Sequence, residues 1–414
     1  MSALDARADG RPATRDAAAA GSPTAAASNL PRRLRRILSL EDFEPAARRH
    51  LPRPIFGFVA GAAETDASRR DNRAAFEEYG FVPRVLVDVS KRSAETVLFG
   101  RRHAAPFGIA PMGVSALIAY RGDLVLTRAA AQANIPMIMS SSSLIRLEEV
   151  AQVNPAAWFQ AYLPGDPDSI IPLVDRVARA GFGTLVLTVD VPVSANRENN
   201  IRSGFSTPLR PGPRLAFDGI TRPGWLINTA MRTLWRHGMP HFENSAATRG
   251  VPILSPDIER VFGALDRLDW THLELIRKRW SGNLVVKGIM SPEDARTARE
   301  SGVEGIIVSN HGGRQLDGTM SPLRVLPEIA AARGTMTVMM DSGIRRGADV
   351  LKALALGAQF VFVGRPFIYA AAIAGEWGVH HAIDLLGNEV LRNMALLGIN
   401  GIGEMTPKLL LRRP

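Results

Sequence analysis

A histidine and an arginine stand three positions apart in the stretch from Ser309 to Gly318, directly after a short apolar run. An apolar, β-branched run of this kind predicts a buried strand, and the glycine pair after His311 predicts a loop. A guanidinium can hold a carboxylate through two parallel hydrogen bonds, while a nearby imidazole can take a proton. His311 and Arg314 could therefore act together on one small anion, although a plain surface turn could carry the same two residues.

Seven further apolar runs resemble the one before Ser309, and helix signals separate them. Apolar character on both faces predicts burial in a parallel sheet. Eight strand–helix units favour an α/β fold, a (β/α)₈ or TIM barrel, over an open doubly wound sheet. The predicted strands are 107–112, 135–140, 157–162, 184–190, 283–289, 305–311, 337–343 and 360–366.

Several helix ends can be predicted from local signals. A capping box from Thr271 to Glu274 predicts the start of a helix over 273–280. Ser291 followed by Pro292 predicts the start of another helix, which ends at Gly302. Nearer the N-terminus, the sequence predicts a helix from Ser39 towards residue 50 and two helical pieces over 51–80.

The chain divides into an extension, a barrel and a long insertion. Residues 1–38 are rich in Ala and Arg and predict a disordered tail, 39–105 a helical extension, 106–406 the barrel and 407–414 a C-terminal tail. The fourth strand is followed by an insertion, 191–270, far longer than an ordinary loop. With Trp225 and Trp235, it predicts a lid that packs on the barrel or on a neighbouring subunit; contact with a membrane is the alternative.

Composition narrows the class of protein. The chain has 414 residues, a formal net charge of +10 and no Cys, which excludes disulfides, Cys-ligated zinc and thiol catalysis. The positive charge is concentrated in residues 1–53 and 197–250, so the pattern does not favour nucleic-acid binding. We find no secretory signal and no apolar run long enough to span a membrane. We expect a cytoplasmic protein, with a peripheral position on the inner face of the cell membrane as the alternative.

The carboxyl ends of barrel strands converge on one face, where active sites lie. Such a gathering of polar groups round one cavity would be costly without a ligand. In strand order, the candidates are Ala110, Pro111, Met112 and Gly113; Ser140; Gln160 and Tyr162; Thr188, Asp190 and Arg197; Lys287; Ser309, His311 and Arg314; Asp341, Gly343 and Arg345; and Gly364 and Arg365.

The loops after the seventh and eighth strands predict a phosphate site. This is the usual phosphate position in such barrels, and each loop pairs a glycine with an arginine. No Gly-x-Gly-x-x-Gly follows a strand, as dinucleotide folds require. A mononucleotide cofactor without a metal therefore fits better.

Five motifs together resemble the family of FMN-dependent 2-hydroxy-acid dehydrogenases and oxidases. They are SNHGGRQLD at 309–317, DSGIRRG at 341–347, LTVD at 187–190, KALALG at 352–357 and GRP at 364–366. The resemblance extends from about residue 40 to about residue 406. It implies FMN as cofactor, a small 2-hydroxy acid as substrate and a homo-oligomer, a tetramer by analogy.

The resemblance also implies a role for each matching residue. His311 would be the general base, Asp190 the carboxylate that supports its cation, and Lys287 a cation beside the flavin. The substrate would be held by Tyr162, Arg197 and Arg314, with Phe58 in its pocket. The implied cofactor contacts are Ala110, Pro111, Met112, Gly113, Ser140, Gln160, Thr188, Lys287, Ser309, Asp341, Gly343, Arg345, Gly364 and Arg365.

Two positions depart from the family pattern and bear on the substrate. Phe58 stands where a Tyr usually contacts the substrate, and Met112 stands where a Thr follows the proline. Phe58 lacks the hydroxyl of that Tyr and makes the pocket more apolar, so we hypothesise a bulkier 2-hydroxy acid than lactate. In the family that this chain resembles, a glycine at the position of Gly113 is more typical of dehydrogenases than of oxidases. The resemblance therefore implies a dehydrogenase that reduces a quinone or another carrier, with an O₂-using oxidase as the alternative. A non-catalytic barrel that binds phosphate or a lipid surface is the alternative of another class.

Overall fold

The structure is a computed structural model and describes residues 30–210, 212–257 and 265–413. Most of the predicted tail, 1–29, lies outside the described residues. Leu34 and Ile37 are buried. The packed part of the chain therefore begins before Ser39, where the sequence predicted its start.

Eight parallel strands form one sheet that closes into a barrel, which confirms the predicted fold. The eighth strand pairs with the first, and a bridge between Ile109 and Met137 joins the first strand to the second. Each strand falls within a predicted run, and most are shorter because the runs continue into the loops that follow. The strands are Phe107–Ile109, Ile138–Ser140, Trp158–Ala161, Thr184–Thr188, Asn283–Ile289, Gly305–Val308, Thr337–Met340 and Phe360–Val363.

Helices surround the barrel and also build the extension and the insertion. Those of the barrel are Ser115–Ile118, Gly122–Gln132, Leu147–Val153, Pro167–Arg179, Trp270–Arg279, Pro292–Glu300, Pro322–Ala332, Gly347–Ala355 and Arg365–Leu397, the last kinked at Ala374 and Gly375. The extension contributes Phe43–His50, Arg53–Ala60 and Ala67–Glu77. The insertion contributes Glu198–Ser203, Pro213–Ile220, Pro223–Trp225 and Arg232–His237, with a π-helical turn at Leu226–Met231.

One predicted helix start is wrong. The helix Trp270–Arg279 begins before Thr271, because the carboxylate of Asp269 caps it by accepting hydrogen bonds from the backbone N–H groups of Thr271 and His272. Asp at this position satisfies the free N–H groups of the first turn as well as the predicted Thr would. The predicted cap at Ser291 is confirmed, since its hydroxyl accepts from the N–H of Asp294.

A hairpin closes the N-terminal end of the barrel and leaves the other end open. Its strands, Thr96–Leu98 and Arg101–His103, pair antiparallel. Leu98 is buried with the inward-facing residues of the barrel, and the ring of Phe99 lies 5.4 Å from that of Trp158. The C-terminal strand Leu410–Arg412 pairs with Tyr79–Phe81 and so ties the end of the chain to the extension.

Candidate active site

The carboxyl ends of the eight strands open into one cavity of about 640 Å³. This volume lies within the range of small-molecule sites. Gln160, Asp190 and Ser309 are absent from its lining, although each of them hydrogen-bonds a residue that lines it. The predicted residues that line the cavity are Phe58, Ala110, Pro111, Met112, Gly113, Ser140, Tyr162, Thr188, Arg197, Lys287, His311, Arg314, Asp341, Gly343, Arg345, Gly364 and Arg365.

The imidazole of His311 lies between a carboxylate and a phenol. Its Nδ1 is 2.9 Å from Oδ1 of Asp190, and its Nε2 is 3.3 Å from the hydroxyl of Tyr162. A carboxylate at Nδ1 favours the proton on that nitrogen, which leaves Nε2 as the acceptor. His311 can therefore take a proton from a ligand through the nitrogen on the cavity side.

Burial and the neighbouring charges act on the pKa values of both His311 and Asp190. Burial lowers the pKa of His311, the carboxylate of Asp190 raises it, and the cation of Lys287 lowers it, so that the pKa lies below its usual value. Burial raises the pKa of Asp190, but the charges of His311 and Lys287 outweigh that effect and hold it below its usual value. At neutral pH the pair is thus a neutral base beside a charged carboxylate.

Unusual backbone conformations occur where the side chains of His311 and Asp190 meet. His311 has φ = 57°, in the left-handed region that L residues rarely adopt. The fifth strand has an irregularity at Gly288, which has φ = 109°. A Cβ at Gly288 would lie 2.7 Å from Cβ of Asp190. Glycine at this position therefore lets Asp190 approach the strand that carries Lys287.

Lys287 is a buried cation held among three polar side chains. Its Nζ donates to the hydroxyl of Ser309 at 2.8 Å and lies 3.4 Å from Oδ2 of Asp341 and 3.9 Å from Oδ2 of Asp190. Burial lowers its pKa, but the two carboxylates outweigh burial and raise it. The side chain is only 5% exposed and keeps its charge in the cavity floor.

Four other cations at the cavity form no ion pair with any carboxylate of the described residues. They are Arg197, Arg314, Arg345 and Arg365, and burial lowers the pKa of each of them, that of Arg345 to about 10. Their hydrogen bonds go instead to uncharged oxygens. Buried guanidinium groups without a counter-charge indicate a site for anions.

Backbone carbonyls orient two of these arginines. The guanidinium of Arg314 donates to the carbonyls of Phe58 and Gly61 at 2.7 and 2.8 Å. That of Arg365 donates to the carbonyls of Val59, Gly61 and Gly312. The C-terminal end of helix Arg53–Ala60 therefore fixes the direction of both cations.

Arg197 is oriented by the loop after the sixth strand. Its Nε donates to the carbonyl of Arg314 at 3.0 Å, and its Nη2 donates to the side chain of Gln315 at 2.6 Å. The charges of Arg197 and Arg314 both act on Tyr162, so the two arginines lie on the side of the cavity where Tyr162 contacts His311. One cation pair, one base and one hydroxyl suit a small hydroxy acid.

The predicted phosphate loops also line the cavity, and Arg365 donates to the same carbonyl, that of Gly61, as Arg314 does. A Cβ at Gly364 would meet Ala110 and Met112 at ordinary contact distances, so the protein atoms around this position do not by themselves require a glycine. Gly343 differs, since its φ is 83° and a Cβ would lie 2.1 Å from the carbonyl oxygen of Asn72. A glycine is therefore required at position 343 because the extension packs closely against it.

Some buried polar atoms near the cavity have no hydrogen-bond partner among the described residues. They are Nε2 of Gln160, Oγ1 of Thr188 and Oδ2 of Asp190. Burying such atoms unpaired is costly, so a ligand with matching hydrogen-bonding groups is expected beside them. These atoms, the cavity volume and the cations near Gly364 together fit a mononucleotide with a polar ring system.

The insertion supplies cavity residues that the sequence analysis did not single out. Phe205 is buried and its ring stacks on that of Phe58 at 4.4 Å. Phe242 and Ile253 also line the cavity. The only signal available was the length of the insertion, because its apolar residues show no period that assigns them to a wall.

A serine on the seventh-strand loop was also missed. The hydroxyl of Ser342 donates to Asp341 at 2.8 Å and accepts from the backbone N–H of Gly312. Ser342 thereby links the loop after the seventh strand, which carries Asp341, to the loop after the sixth strand, which carries His311. Ser342 has φ = 76°, a conformation that its residue type does not predict.

Comparison with known proteins gives consistent matches over most of the chain. The profile of FMN-dependent dehydrogenases matches residues 47–412. The L-lactate dehydrogenase of Ectopseudomonas mendocina (strain ymp) is 40% identical over 381 residues, which cover 91% of this chain and 99% of that protein. The (S)-mandelate dehydrogenase of Pseudomonas putida is 36% identical over 374 residues, which cover 90% and 93%.

Solved structures resemble this fold closely. That of the monotopic membrane protein (S)-mandelate dehydrogenase has a TM-score of 0.83 and 34% identity, covering 91% of this chain and all (100%) of that one. A mandelate oxidase with (S)-2-phenylpropionate has a TM-score of 0.75 and 37% identity, covering 91% and 98%.

Proposed function

Since the chain belongs to the FMN-dependent dehydrogenase family, we propose that it oxidises an L-2-hydroxy acid to the 2-oxo acid and passes the electrons to a quinone or another carrier. One observation supports this above others. A base backed by a carboxylate, His311 with Asp190, faces a cavity lined by four buried arginines that lack ion-pair partners among the described residues. Such a site suits a substrate that is an anion and must lose a proton.

Each side chain near the substrate end has a defined task in this proposal. Arg197 and Arg314 bind the carboxylate and fix the carbon that is oxidised. Nε2 of His311 takes one of the two protons that the substrate loses, and Asp190 stabilises the imidazolium that results. The hydroxyl of Tyr162 donates a hydrogen bond to the substrate, because burial raises its pKa to about 12 and keeps it protonated.

The family depends on FMN, and we place this cofactor in the part of the cavity that the loops of Gly343 and Gly364 line, which we call the cofactor end. Bound FMN would supply the oxidising power by accepting the two electrons and the second proton that the substrate loses. We assign its phosphate to Arg345, Arg365 and the backbone at Gly364, and its ring to the neighbourhood of Ser140, Gln160 and Thr188. Lys287 holds a fixed positive charge nearby, which favours the gain of negative charge.

The visible spectrum of the purified protein tests the proposal. We expect absorbance near ~450 nm that bleaches without O₂ when a 2-hydroxy acid is added. A colourless protein would favour the non-catalytic phosphate- or lipid-binding barrel. A yellow protein that no 2-hydroxy acid bleaches would overturn the proposed reaction while leaving the cofactor in place.

The pocket supports a bulky, apolar substrate side chain. Phe58, Met112, Phe205 and Phe242 line it, and Ile253 adds to the same apolar wall. We therefore infer a higher kcat/KM for mandelate or 2-hydroxyoctanoate than for lactate. Steady-state measurements with the three acids test this, and the highest kcat/KM for lactate would contradict it.

The exposed face of the insertion supports contact with a membrane surface. Trp235 is 86% exposed and Phe217 66%, and Ile220, Ile227, Met231 and Leu234 are also exposed. Apolar side chains among arginines are typical of segments that lie in a membrane interface. Within the described residues, no helix is long and apolar enough to cross a membrane. We infer a peripheral position on the cytoplasmic face.

Membrane contact also bears on the electron acceptor. An enzyme at the bilayer can deliver electrons to a quinone, and a soluble oxidase delivers them to O₂. Following the return of flavin absorbance under anaerobic conditions, with and without added membranes, separates the two. Return only in the presence of O₂ would favour the oxidase. Assembly into a homo-oligomer, tetrameric by analogy, stays a prediction.

A further inference from the structure

Helix Ala67–Glu77 of the extension contacts both loops that carry the site. The side chains of Asn72 and Asn310 form a reciprocal pair: each amide N–H₂ donates to the other's carbonyl oxygen, at 2.9 and 2.8 Å. Asn72 is 2% exposed and Asn310 5%. A buried amide pair joined by two hydrogen bonds is a rigid connection, because breaking it leaves polar groups unpaired.

Asn310 stands directly before the base in the chain. Its side-chain oxygen also accepts from the backbone N–H of Gly313 at 3.1 Å, so it spans the turn that contains His311. The left-handed conformation of His311 has an intrinsic cost and persists only where surrounding contacts enforce it. The amide pair supplies such a contact, and it fixes the residue from which the imidazole projects.

The next residue of the helix acts on the other loop. Nη1 of Arg73 donates to the carbonyl of Gly343 and, at 2.7 Å, to Oδ2 of Asp349. The same carboxylate oxygen accepts from the backbone N–H groups of Arg345 and Arg346 at 2.9 and 3.0 Å. Arg73 thus braces the segment that presents Arg345 to the cavity.

We propose that Asn72 and Arg73 are positioning residues of the active site, Asn72 for the base His311 and Arg73 for the loop that binds the cofactor phosphate. Neither residue lines the cavity of about 640 Å³. They act through Asn310 and through Asp349, from a segment outside the barrel. The inference rests on the proposed function, since it takes His311 as the base and Arg345 as a phosphate contact.

Two variants separate the two tasks. In Asn72→Ala we expect kcat to fall about 10- to 100-fold, the scale of a small misplacement of a catalytic group. The acid limb of the kcat/KM pH profile moves to lower pH, because a displaced imidazole loses the attraction of Asp190. The Kd for FMN changes less than about twofold. In Arg73→Met we expect the reverse: the Kd for FMN rises about 10-fold or more, and the pH profile at saturating FMN is unchanged.

A third residue of the same helix provides the control. Ser68 is buried and donates to the carbonyl of Thr319, beyond the turn of the base. Ser68→Ala should lower thermal stability and leave both the FMN affinity and the pH profile as they were. If either test variant behaves like this control, or if both change the same parameter, the proposal is overturned.

Conservative replacements cover the case in which a variant does not fold. Asn72→Asp keeps one acceptor for Asn310, and Arg73→Lys keeps the charge beside Asp349, so each should show the same defect in weaker form. Oxalate binding, followed through flavin absorbance as pH varies, reports His311 without turnover. An inactive wild type would reject the proposed function, while the FMN and oxalate measurements would still decide this inference.

Discussion

The side chains of His311 and Asp190 meet at 2.9 Å although 121 positions separate them in the chain. The contact fixes the imidazole so that its other nitrogen faces the cavity and Tyr162. It also places a negative charge where the imidazolium forms when the base takes its proton. Orientation and charge thus come from one carboxylate, and both can be tested by changing it.

Replacing Asp190 by Asn keeps the shape and removes the charge. The imidazolium then loses its partner, and we expect kcat to fall by about 100-fold, the lower range of what a general base contributes. The base works in its neutral form, so kcat/KM rises with pH through the pKa of His311, which lies below its usual value of 6.5. Asp190 raises that pKa, so Asp190→Asn should move the acid limb to lower pH. An unchanged limb would contradict the pairing.

Replacing Lys287 by Met should impair the cofactor end. The change leaves the carboxylates of Asp341 and Asp190 without their buried cation. We expect a loss of roughly 100- to 1000-fold in kcat, as for the removal of one electrostatic stabiliser, together with a lower midpoint potential of bound FMN. Lys287→Arg keeps the charge and should retain more activity. Equal losses in both variants would show that packing, rather than charge, is what matters.

The glycine at position 343 should not tolerate a side chain. In Gly343→Ala, the positive φ and the approach of the Asn72 carbonyl act together. We expect a loss of about 2–5 kcal/mol in stability, from backbone strain and overpacking, and weaker FMN binding. Gly181 has φ = 91° with no atom near its missing Cβ, so Gly181→Ala should cost only about 1–2 kcal/mol. Chemical denaturation of both variants measures the difference.

Adding a hydroxyl at Phe58 should shift the substrate preference. Its ring lies beneath the guanidinium of Arg314, at 5.0 Å, and faces the cavity. In Phe58→Tyr we expect kcat/KM for lactate to rise about 2- to 10-fold, the value of one hydrogen bond, with no rise for 2-hydroxyoctanoate. Phe56 stacks on Tyr369, away from the cavity lining. Phe56→Tyr should therefore leave the preference unchanged.

The exposed tryptophan of the insertion should contribute to membrane binding. We expect Trp235→Ser to reduce sedimentation with vesicles that contain anionic lipid, because the indole no longer inserts at the interface. Trp377 is also exposed, at 60%, but lies on the barrel helix Arg365–Leu397. Trp377→Ser is the matched control and should bind as the wild type does. Equal binding by all three proteins would reject the insertion as the contact.

Local pattern was sufficient to predict the barrel and the gathering of its strand ends. Each buried strand is a short apolar run with its own boundaries, and parallel pairing then brings the ends together. For this reason the sequence alone places Lys287 and His311 in one cavity. The backbone conformations of His311 and Ser342 were not predictable, since neither residue type calls for a positive φ.

Contacts between segments that are far apart in the chain could not be predicted from the sequence. Arg314 and Arg365 donate to carbonyls of helix Arg53–Ala60. Every residue type has the same backbone carbonyl, so the sequence does not indicate which carbonyl accepts a hydrogen bond. The same holds for Phe205, whose place in the cavity wall depends on how the insertion folds back. The pairing of Asn72 with Asn310 joins residues 238 positions apart, and no periodicity predicts it.

The amide pair between Asn72 and Asn310 has a consequence for how this chain can be divided. A boundary near residue 105 looks natural in the sequence, with a barrel on one side and a helical prefix on the other. Yet the extension supplies the carbonyls that orient Arg314 and Arg365, and its Asn72 also holds Asn310, the residue before the base. A barrel cut free at that boundary would keep every catalytic side chain and lose their alignment. The unit that could be transplanted or recombined is therefore the extension and barrel together.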